Sequence, residues 1–260
     1  MKIPLFRIYW DDDDVKSIDR IIKSGKHWAC GESIKRFEEA VCRYLGIPYC
    51  VICNSGASAL HASMISHGVK EGDEVIVPSF TYIATAYAPL YTGAKPVFAD
   101  IEEETLGLDP DDVLERITRR TKAIIPVHYA GMPCRIRELR EIAKDHNLIL
   151  IEDAAEAFGA RIGKHFVGTF GESSVISFCQ NKIITTGEGG CVITKNKDVY
   201  RKAKLISSYG RIDDNYFSSS SAGEYVEIGY NWRMSSILAA LGLSQIKKTE
   251  RIIEMRRGNA

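Results

Sequence analysis

Short apolar segments alternate with longer amphipathic segments through the middle of the chain. The apolar segments predict strands at 50–53, 74–78, 96–100, 123–127, 148–153, 174–178 and 191–194. The amphipathic segments have helical spacing and predict helices at 57–68, 82–91, 110–119, 135–146 and 197–208. This alternation predicts an α/β fold, with a mostly parallel sheet covered by helices on both faces. Such sheets bind ligands at the carboxyl ends of their strands.

Two segments outside this alternation also have helical character. The four aspartates at 11–14 are expected to cap the first helix, because consecutive carboxylates without a glycine turn do not form a calcium loop. Residues 234–257 keep the helical spacing of apolar positions without a clear stop signal. This segment therefore predicts one continuous helix.

Composition narrows the classes of function. The 34 basic and 34 acidic side chains cancel, so no net charge attracts nucleic acid or an anionic membrane. The N-terminus reaches the aspartates before any long apolar run, so we expect neither a signal peptide nor a membrane span there. Seven cysteines, an odd number, favour free thiols in a cytoplasmic protein. Cys50 and Cys53 have no second pair of metal ligands nearby in sequence, so we expect them to be buried by packing.

Two carboxylates follow directly on a fully apolar strand in "LILIEDAAEAFGA". Glu152 and Asp153 would lie where a ligand binds, and a carboxylate there stays ionised if it faces a cation such as a protonated pyridine nitrogen. The alternative, which fits the motif equally well, is that Asp153 caps the following turn.

A second candidate site is the strand-to-helix junction "CNSGASAL". Backbone N–H groups at a helix start, with a glycine that allows close approach, suit a phosphate, which makes Gly56, Ala57 and Ser58 candidates. Ordinary helix capping by Ser55 or Ser58 is the alternative. The glycines of "TTGEGG" match neither a Walker loop nor GxGxxG, which argues against ATP or a dinucleotide.

One lysine, Lys182, stands between a predicted strand end and this glycine cluster in "SFCQNKIITTGEGG". A neutral lysine amine is a nucleophile, and surroundings of low polarity favour the form that makes a Schiff base. Tyr82 follows another strand and could stack on a planar heterocycle, although aromatics at this spacing more often belong to a core. Lys182, Asp153, a phosphate-binding helix start and a stacking ring are together the parts that hold pyridoxal phosphate.

Seven ordered blocks of the sequence resemble the DegT/StrS family of nucleotide-sugar aminotransferases. They are "NSGASALHA", "GDEVIVPSFTYIATA", "GAKPVFADI", "TKAIIPVHYAG", "IEDAAEAFGA", "VGTFGESSVISFCQNKIITTGEGG" and "IGYNWRMSSILAALGLSQ". The blocks "IEDAAEAFG" and "NKIITTGEGG" most resemble the perosamine-synthase branch, which aminates a GDP-linked 4-keto-6-deoxy sugar. The resemblance implies the large domain of the type I, aspartate-aminotransferase-like fold of pyridoxal-phosphate enzymes, with L-glutamate as amino donor.

The resemblance also implies roles for residues at the ring of the cofactor. Lys182 matches the lysine that forms the Schiff base and shuttles a proton, and Asp153 matches the carboxylate that pairs with the pyridinium nitrogen. Tyr82 matches the aromatic residue that stacks on the ring. Glu156 stands where a glutamine often binds near the ring hydroxyl, and this exchange marks the perosamine-like branch.

Further roles concern the phosphate. Gly56, Ala57 and Ser177 match phosphate-binding positions of the same subunit, although many relatives have threonine in place of Ala57. Asn231 matches an asparagine that reaches the phosphate of a neighbouring subunit, which implies a homodimer with shared active sites. Arg233 fits either a phosphate contact or an acidic neighbour. His128 fits either a substrate contact or a satisfied buried histidine.

The resemblance gives the expected domain organisation. We expect residues 1–235 to form the cofactor-binding large domain with an N-terminal arm, and 236–260 to form a helix leading to a small C-terminal domain that this sequence lacks. One alternative is a truncated, catalytically impaired relative that binds the cofactor or has a regulatory role. A less favoured alternative is a sugar dehydratase of the same family, in which histidine commonly replaces the anchoring lysine.

Overall fold

A seven-stranded sheet forms the centre of the computed structural model, which describes residues 4–212 and 223–259. Its strands are β1 (Tyr49–Cys53), β2 (Glu74–Pro78), β3 (Lys95–Ala99), β4 (Thr121–Ile124), β5 (Ile149–Asp153), β8 (Ser173–Ser177) and β9 (Gly190–Thr194). They lie side by side in the order β1-β9-β8-β5-β4-β2-β3. All seven predicted strands are confirmed, with ends shifted by a few residues. Two short strands, β6 (Arg161–Ile162) and β7 (His165–Phe166), form a separate hairpin.

The direction of β9 departs from that of the other strands in the sheet. β9 pairs antiparallel with both β1 and β8, whereas the remaining pairs are parallel. Residues 178–189 join β8 to β9 without a helix, so the chain turns back at the edge where β8 ends. The predicted, mostly parallel sheet is therefore confirmed, with one reversed strand.

Helices cover both faces of the sheet. They are α1 (Asp12–Ser24), α2 (Glu32–Leu45), α3 (Gly56–Ser66), α4 (Ala84–Leu90), α5 (Pro110–Arg116), α6 (Ile136–Asp145), α7 (Lys197–Ser207), α8 (Ser236–Ile246) and α9 (Thr249–Arg257). The cores show that α3, α4 and α7 pack on one face, while α2, α5, α6, α8 and α9 pack on the other. Within the described ranges, no helix combines the length and the apolar character that a bilayer crossing needs.

Alternation along the strands divides the buried side chains between these two faces. In β1, Cys50 joins the core beneath α2 and α8, while Cys53 joins the core beneath α3. Both thiols are buried, as expected from packing. In β5, Leu150 and Ile151 likewise belong to different cores. The next two residues of that strand, Glu152 and Asp153, consequently point to opposite faces.

The predicted single helix over 234–257 is wrong, because the structure divides this segment into α8 and α9. The chain leaves helical geometry at Lys248, and the Thr249 hydroxyl donates to the Ile246 carbonyl at 2.7 Å. The break places the Lys248 amine 2.8 Å from Asp14, which together with Asp11 forms the predicted cap of α1. An ion pair with the start of α1 thus accompanies the interruption.

Candidate active site

Six parallel strands end at one edge of the sheet, and the reversed strand begins there. The residues at these ends are Cys53, Pro78, Ala99, Ile124, Asp153 and Ser177, with Gly190 at the start of β9. Cys53, Gly190 and Ser177 lie side by side across three adjacent strands. Asp153 pairs with Val175 on the next strand, so the separate motifs of the sequence meet at this edge.

Asp153 is a buried carboxylate at this edge. Its Oδ2 accepts a hydrogen bond from the Thr85 hydroxyl at 2.9 Å, and its Oδ1 accepts one from the Ala155 amide at 3.2 Å. No lysine, arginine or histidine of the described residues forms an ion pair with it. Burial raises the pKa of Asp153, whereas Thr85, Ala155 and Lys182 act in the opposite direction. A cation placed beside this carboxylate would offset the cost of its burial.

Glu152, the preceding residue, has a full set of partners on the other face. Its Oε1 accepts from the amides of Phe170 and Gly171, both at 2.7 Å, and its Oε2 accepts from the Gly168 amide at 2.7 Å. Oε2 also lies 3.0 Å from His128 Nε2. Glu152 therefore ties the segment after β7 to β5 and has a structural role.

His128 is fully buried in the same network. The Cys134 amide donates to its Nδ1 at 3.2 Å, and its Nε2 faces Glu152. Both ring nitrogens are thus engaged within the protein. Of the two readings of His128, the structure supports the satisfied buried histidine.

Lys182 lies in the connection between β8 and β9, with its side chain 14% exposed. Its Nζ is 3.1 Å from Oε1 of Glu156, a residue in the segment that follows β5. The second oxygen of Glu156 accepts from the Ala130 amide at 2.9 Å, which fixes the orientation of the carboxylate. Lys182 is near enough to Asp153 to lower the pKa of that carboxyl group. Because Glu156 follows Asp153 by three residues, its contact holds the amine at the edge of the sheet where Asp153 lies.

The start of α3 offers two backbone donors at the same edge. Ser55 is the N-cap and accepts from the Ser58 amide at 3.0 Å, so the predicted capping is observed. The Ser58 hydroxyl donates to the Asn54 side chain at 2.7 Å and is used locally. The amides of Gly56 and Ala57 have no hydrogen-bond acceptor among the described residues. These two N–H groups can bind an anion.

Close packing brings the start of α3 against the ends of β8 and β9. A Cβ on Gly56 would lie 3.1 Å from Ser177 Cβ, and a Cβ on Gly190 would lie 2.6 Å from the Gly56 nitrogen. Only glycine at position 190 allows this approach without a shift of the backbone. The Ser177 hydroxyl, which accepts from the Cys179 amide at 3.2 Å, lies next to the amides of the helix start.

Tyr82 precedes α4, and 77% of its surface is exposed. The residue is therefore outside the core, and its ring is accessible at the edge where Asp153 lies. Sequence reasoning missed Thr85, which is buried and donates to Asp153. Thr81 and Thr85 share a hydrogen bond of 2.9 Å, one helical turn apart. Their spacing of four residues, in a segment that is otherwise mostly apolar, was the available signal.

Asn231 and Arg233 lie close to the end of β1. The Asn231 carbonyl accepts from the Asn54 side chain at 3.4 Å, and Asn231 is exposed. Arg233 donates to the Ser208 hydroxyl at 3.3 Å, and its guanidinium carbon is 5.3 Å from the centre of the Tyr209 ring. The contact with Asn54 places Asn231 beside the helix start that carries Gly56, and a β-bridge with Cys53 places Arg233 at the end of β1.

The residues of this edge fit pyridoxal phosphate. Asp153 is a buried carboxylate in need of a cation, and two amides at the start of α3 are free to bind a phosphate. The exposed ring of Tyr82 offers a stacking surface, and Lys182 offers a primary amine. Each group has the chemistry of the part of the cofactor that it would contact.

Comparisons with known proteins agree with this site. A model of the DegT/DnrJ/EryC1/StrS aminotransferase family matches residues 9–260. GDP-perosamine synthase of Escherichia coli O157:H7 is 41% identical over 228 residues, which cover 87% of this chain and 61% of that protein. The chain thus spans less than two thirds of that relative.

Two solved structures show the same fold over nearly all of this chain. Helicobacter pylori PseC, an aminotransferase involved in the biosynthesis of pseudoaminic acid, is 33% identical with a TM-score of 0.89, covering 96% of this chain and 67% of its own. A variant of GDP-4-keto-6-deoxymannose-3-dehydratase with bound GDP-perosamine is 31% identical with a TM-score of 0.92, covering 99% of this chain and 71% of its own. Since the family model matches almost every residue, the chain belongs to the DegT/DnrJ/EryC1/StrS aminotransferase family.

Proposed function

We propose that the chain is a pyridoxal-phosphate-dependent aminotransferase that moves an amino group from L-glutamate to the keto carbon of a nucleotide-linked sugar. One observation carries the proposal: Nζ of Lys182 lies 3.1 Å from Glu156, a residue three positions after the buried carboxylate of Asp153, at the carboxyl edge of the sheet. Family membership supports the reaction class. The E. coli relative, a GDP-perosamine synthase, supports a GDP-linked sugar, and GDP-4-keto-6-deoxymannose, from which the structurally similar dehydratase takes its name, is the first sugar to test.

The residues of the site divide the binding of the cofactor among them. The amides of Gly56 and Ala57 and the Ser177 hydroxyl would hold the phosphate. Asp153 would face the ring nitrogen and favour its protonated form, because the two opposite charges stabilise each other in a buried site. Tyr82 would cover one face of the ring.

Lys182 supplies the reactive amine. Bound pyridoxal phosphate supplies an aldehyde that condenses with an amine with loss of water, and a ring that accepts electrons from the adjacent carbon. Glu156 orients Nζ of Lys182 through the 3.1 Å contact and would approach the ring hydroxyl. With its amine free, Lys182 would move the proton that is exchanged between the cofactor and the carbon of the donor or of the sugar that bears the amino group.

The proposed enzyme is a homodimer, with Asn231 of each copy reaching the phosphate bound by the other. Exposed apolar side chains on α4 and directly before and after it support this arrangement. They are Ile83, Tyr87, Leu90 and Tyr91. Because Thr85 belongs to the same helix and contacts Asp153, such an interface would continue into the site.

A sugar dehydratase is the second candidate, since the TM-score of 0.92 to GDP-4-keto-6-deoxymannose-3-dehydratase favours it. The family pattern of a histidine at the anchoring position argues against it, because this chain has Lys182 there. The third candidate is a relative that binds the cofactor without turnover. The three differ in product: an amino sugar, a deoxy sugar, or none.

Borohydride trapping tests the binding of the cofactor. The purified chain is incubated with pyridoxal phosphate, reduced, digested, and examined by mass spectrometry for the modified peptide. We expect labelling at Lys182, which Lys182→Ala abolishes. The matched control is Lys164→Ala, because Lys164 is exposed in the turn between β6 and β7. Equal labelling of Lys182→Ala and the wild type would refute the assignment of the anchor.

An assay of turnover then tests the reaction. GDP-, UDP- and dTDP-linked 4-keto sugars are offered with L-glutamate, and amino sugar and 2-oxoglutarate are measured together. Equal amounts of both products support the aminotransferase. A deoxy sugar without the amino group would support the dehydratase, and labelling without product would support the binder.

A further inference from the structure

Arg256, near the end of α9, reaches the loop that carries the reactive amine. Its Nη2 donates to the carbonyl of Lys182 at 2.9 Å and to the carbonyl of Asn181 at 3.3 Å. These contacts join positions 74 and 75 residues apart in the chain. A side chain of α9 thus binds the backbone carbonyl of the residue that carries the amine.

The helix that bears Arg256 is itself fixed on the domain. Ile252 and Ile253 are buried, and a Cβ on Gly159 would lie 2.5 Å from Ile253 Cδ1. In the first turn of α9, the side chain of Glu250 accepts a hydrogen bond from the Tyr44 hydroxyl at 2.8 Å. Because α9 packs in this way, the guanidinium of Arg256 has a defined position relative to the loop.

The loop has few hydrogen bonds of its own. From Gln180 to Thr185, the Lys182 amide donates to the Cys179 carbonyl at 3.0 Å, and no other amide donates to a backbone oxygen of the described residues. Among the described residues, Arg256 is the donor to the backbone carbonyls of Asn181 and Lys182. Without Arg256, both carbonyls would lose their protein partner. The peptide plane after Lys182 would then be free to rotate and to redirect the side chain.

Partial burial disfavours the charged form of Arg256, and its hydrogen bonds to the two carbonyls offset this cost. Partial burial lowers its pKa, and no carboxylate within residues 4–212 and 223–259 pairs with it. Arg257, the next residue, is exposed on the same helix end. The two adjacent arginines thus differ in their partners: the guanidinium of Arg257 is exposed to solvent, whereas that of Arg256 is partly buried and binds the backbone carbonyls of Asn181 and Lys182.

We propose that Arg256 is a positioning residue for Lys182. The inference rests on the proposed function, in which Nζ must meet the aldehyde of the cofactor. Glu156 holds the side chain at its tip, and Arg256 holds the backbone at its base. Loss of either contact leaves the amine present but poorly placed, and small misplacements of a reacting atom are costly.

The rate of cofactor capture tests this inference. Pyridoxal phosphate is mixed with the chain, and the rise of the absorbance of the lysine-linked cofactor is followed. We expect Arg256→Ala to lower the second-order rate constant about tenfold, the equivalent of one hydrogen bond to a charged group. Arg256→Lys should recover part of the loss, since an ammonium can donate to one of the two carbonyls. Arg257→Ala is the matched control and should capture at the wild-type rate.

A second measurement needs no cofactor. Hydrogen exchange of peptides covering 179–189, followed by mass spectrometry, should be faster in Arg256→Ala and unchanged in Arg257→Ala. Wild-type rates of both capture and exchange in Arg256→Ala would overturn the inference, as would equal effects of the two arginine variants. If the wild type captures no pyridoxal phosphate, the proposed function fails, while the exchange experiment still reports on the contact between Arg256 and the loop.

Discussion

Glu152 and Asp153 are adjacent carboxylates at the end of one buried strand, yet their surroundings differ. Glu152 accepts from three backbone amides and faces a buried histidine, at distances between 2.7 and 3.0 Å. Asp153 accepts from one hydroxyl and one amide, at 2.9 and 3.2 Å. Because side chains alternate along the strand, Glu152 points to the face where these amides and His128 lie, and Asp153 points to the opposite face, where Thr85 lies.

The difference separates a carboxylate with a structural role from the one that we propose to face the cofactor. A buried charge with a complete set of donors is already stabilised by the fold and has no need of a ligand. A buried carboxylate without an ion-pair partner keeps part of the cost of its burial, which a cation placed beside it would offset. Both residues are buried, so burial alone does not distinguish their roles. The hydrogen-bond partners of each carboxylate do.

The largest expected effect is on stability, from Glu152→Ala. The amides of Gly168, Phe170 and Gly171 would lose their acceptor in a dry environment, as would His128. We expect the free energy of unfolding to fall by about 3–5 kcal/mol, the usual cost of removing one partner from a buried charged network. Urea unfolding followed by circular dichroism measures it. A loss below about 1 kcal/mol would show that water or a local rearrangement replaces the carboxylate.

The next effect is on function, from Asp153→Asn. The amide keeps the size of the side chain but cannot supply the negative charge that stabilises a protonated ring nitrogen. We expect transamination to fall on the order of 100-fold or more, as when one electrostatic partner of a transition state is removed. The rate of the reaction with L-glutamate alone, measured by stopped-flow absorbance, reports this loss. Full activity in the variant would contradict the role of Asp153.

The free energy of unfolding of Asp153→Asn should depend on pH differently from that of the wild type. Burial raises the pKa of Asp153 in the folded chain above its usual value of 3.8. The folded state therefore binds the proton more tightly, and stability is lost as the pH rises from below 3.8 through the raised value. Without cofactor, Asp153→Asn lacks this loss and should be at least as stable as the wild type at neutral pH. Unfolding curves over an acid pH series compare the two proteins.

The smallest expected effect comes from Thr85→Val, which removes the hydroxyl that donates to Asp153. The shape of the side chain is kept, and the pKa of Asp153 should rise further because Thr85 lowers it. We expect activity to fall about tenfold, the value of one hydrogen bond to a charged group. Thr85→Ser retains a hydroxyl and is the control. If serine and valine variants lose the same activity, packing of the methyl group and not the hydrogen bond is responsible.

Much of the fold was predictable because apolar runs and helical spacing are local properties. All seven strands of the sheet follow from such runs, including the buried β5 and β8. The reversal of β9 was not predictable, since an apolar strand reads alike in both directions and its direction depends on how the chain connects. The break between α8 and α9 depends on Lys248 reaching Asp14, a contact with a distant part of the sequence.

The site could be predicted as a set of motifs but not as a network. Asp153 ends a strand, Gly56 and Lys182 each follow one, and the rule for parallel sheets brings strand ends to one edge. Glu156 as the partner of Lys182 and Arg256 on the loop act through side-chain positions that no local pattern encodes. The spacing of Thr81 and Thr85 indicates a shared helix face but not the contact with Asp153. The motif of Glu152 and Asp153 did not distinguish their roles, because only the tertiary structure shows which face is closed.

The reversed strand has a consequence for how the reactive amine is carried. Since β8 and β9 are adjacent and antiparallel, both ends of the connection 178–189, which bears Lys182, lie at the same edge of the sheet. Its two ends are clamped about one strand spacing apart, close to 5 Å. Because Ser177 pairs with Gly190 at its base and Phe178 and Ile184 are buried in the core, the backbone that bears the amine is anchored on both sides of Lys182.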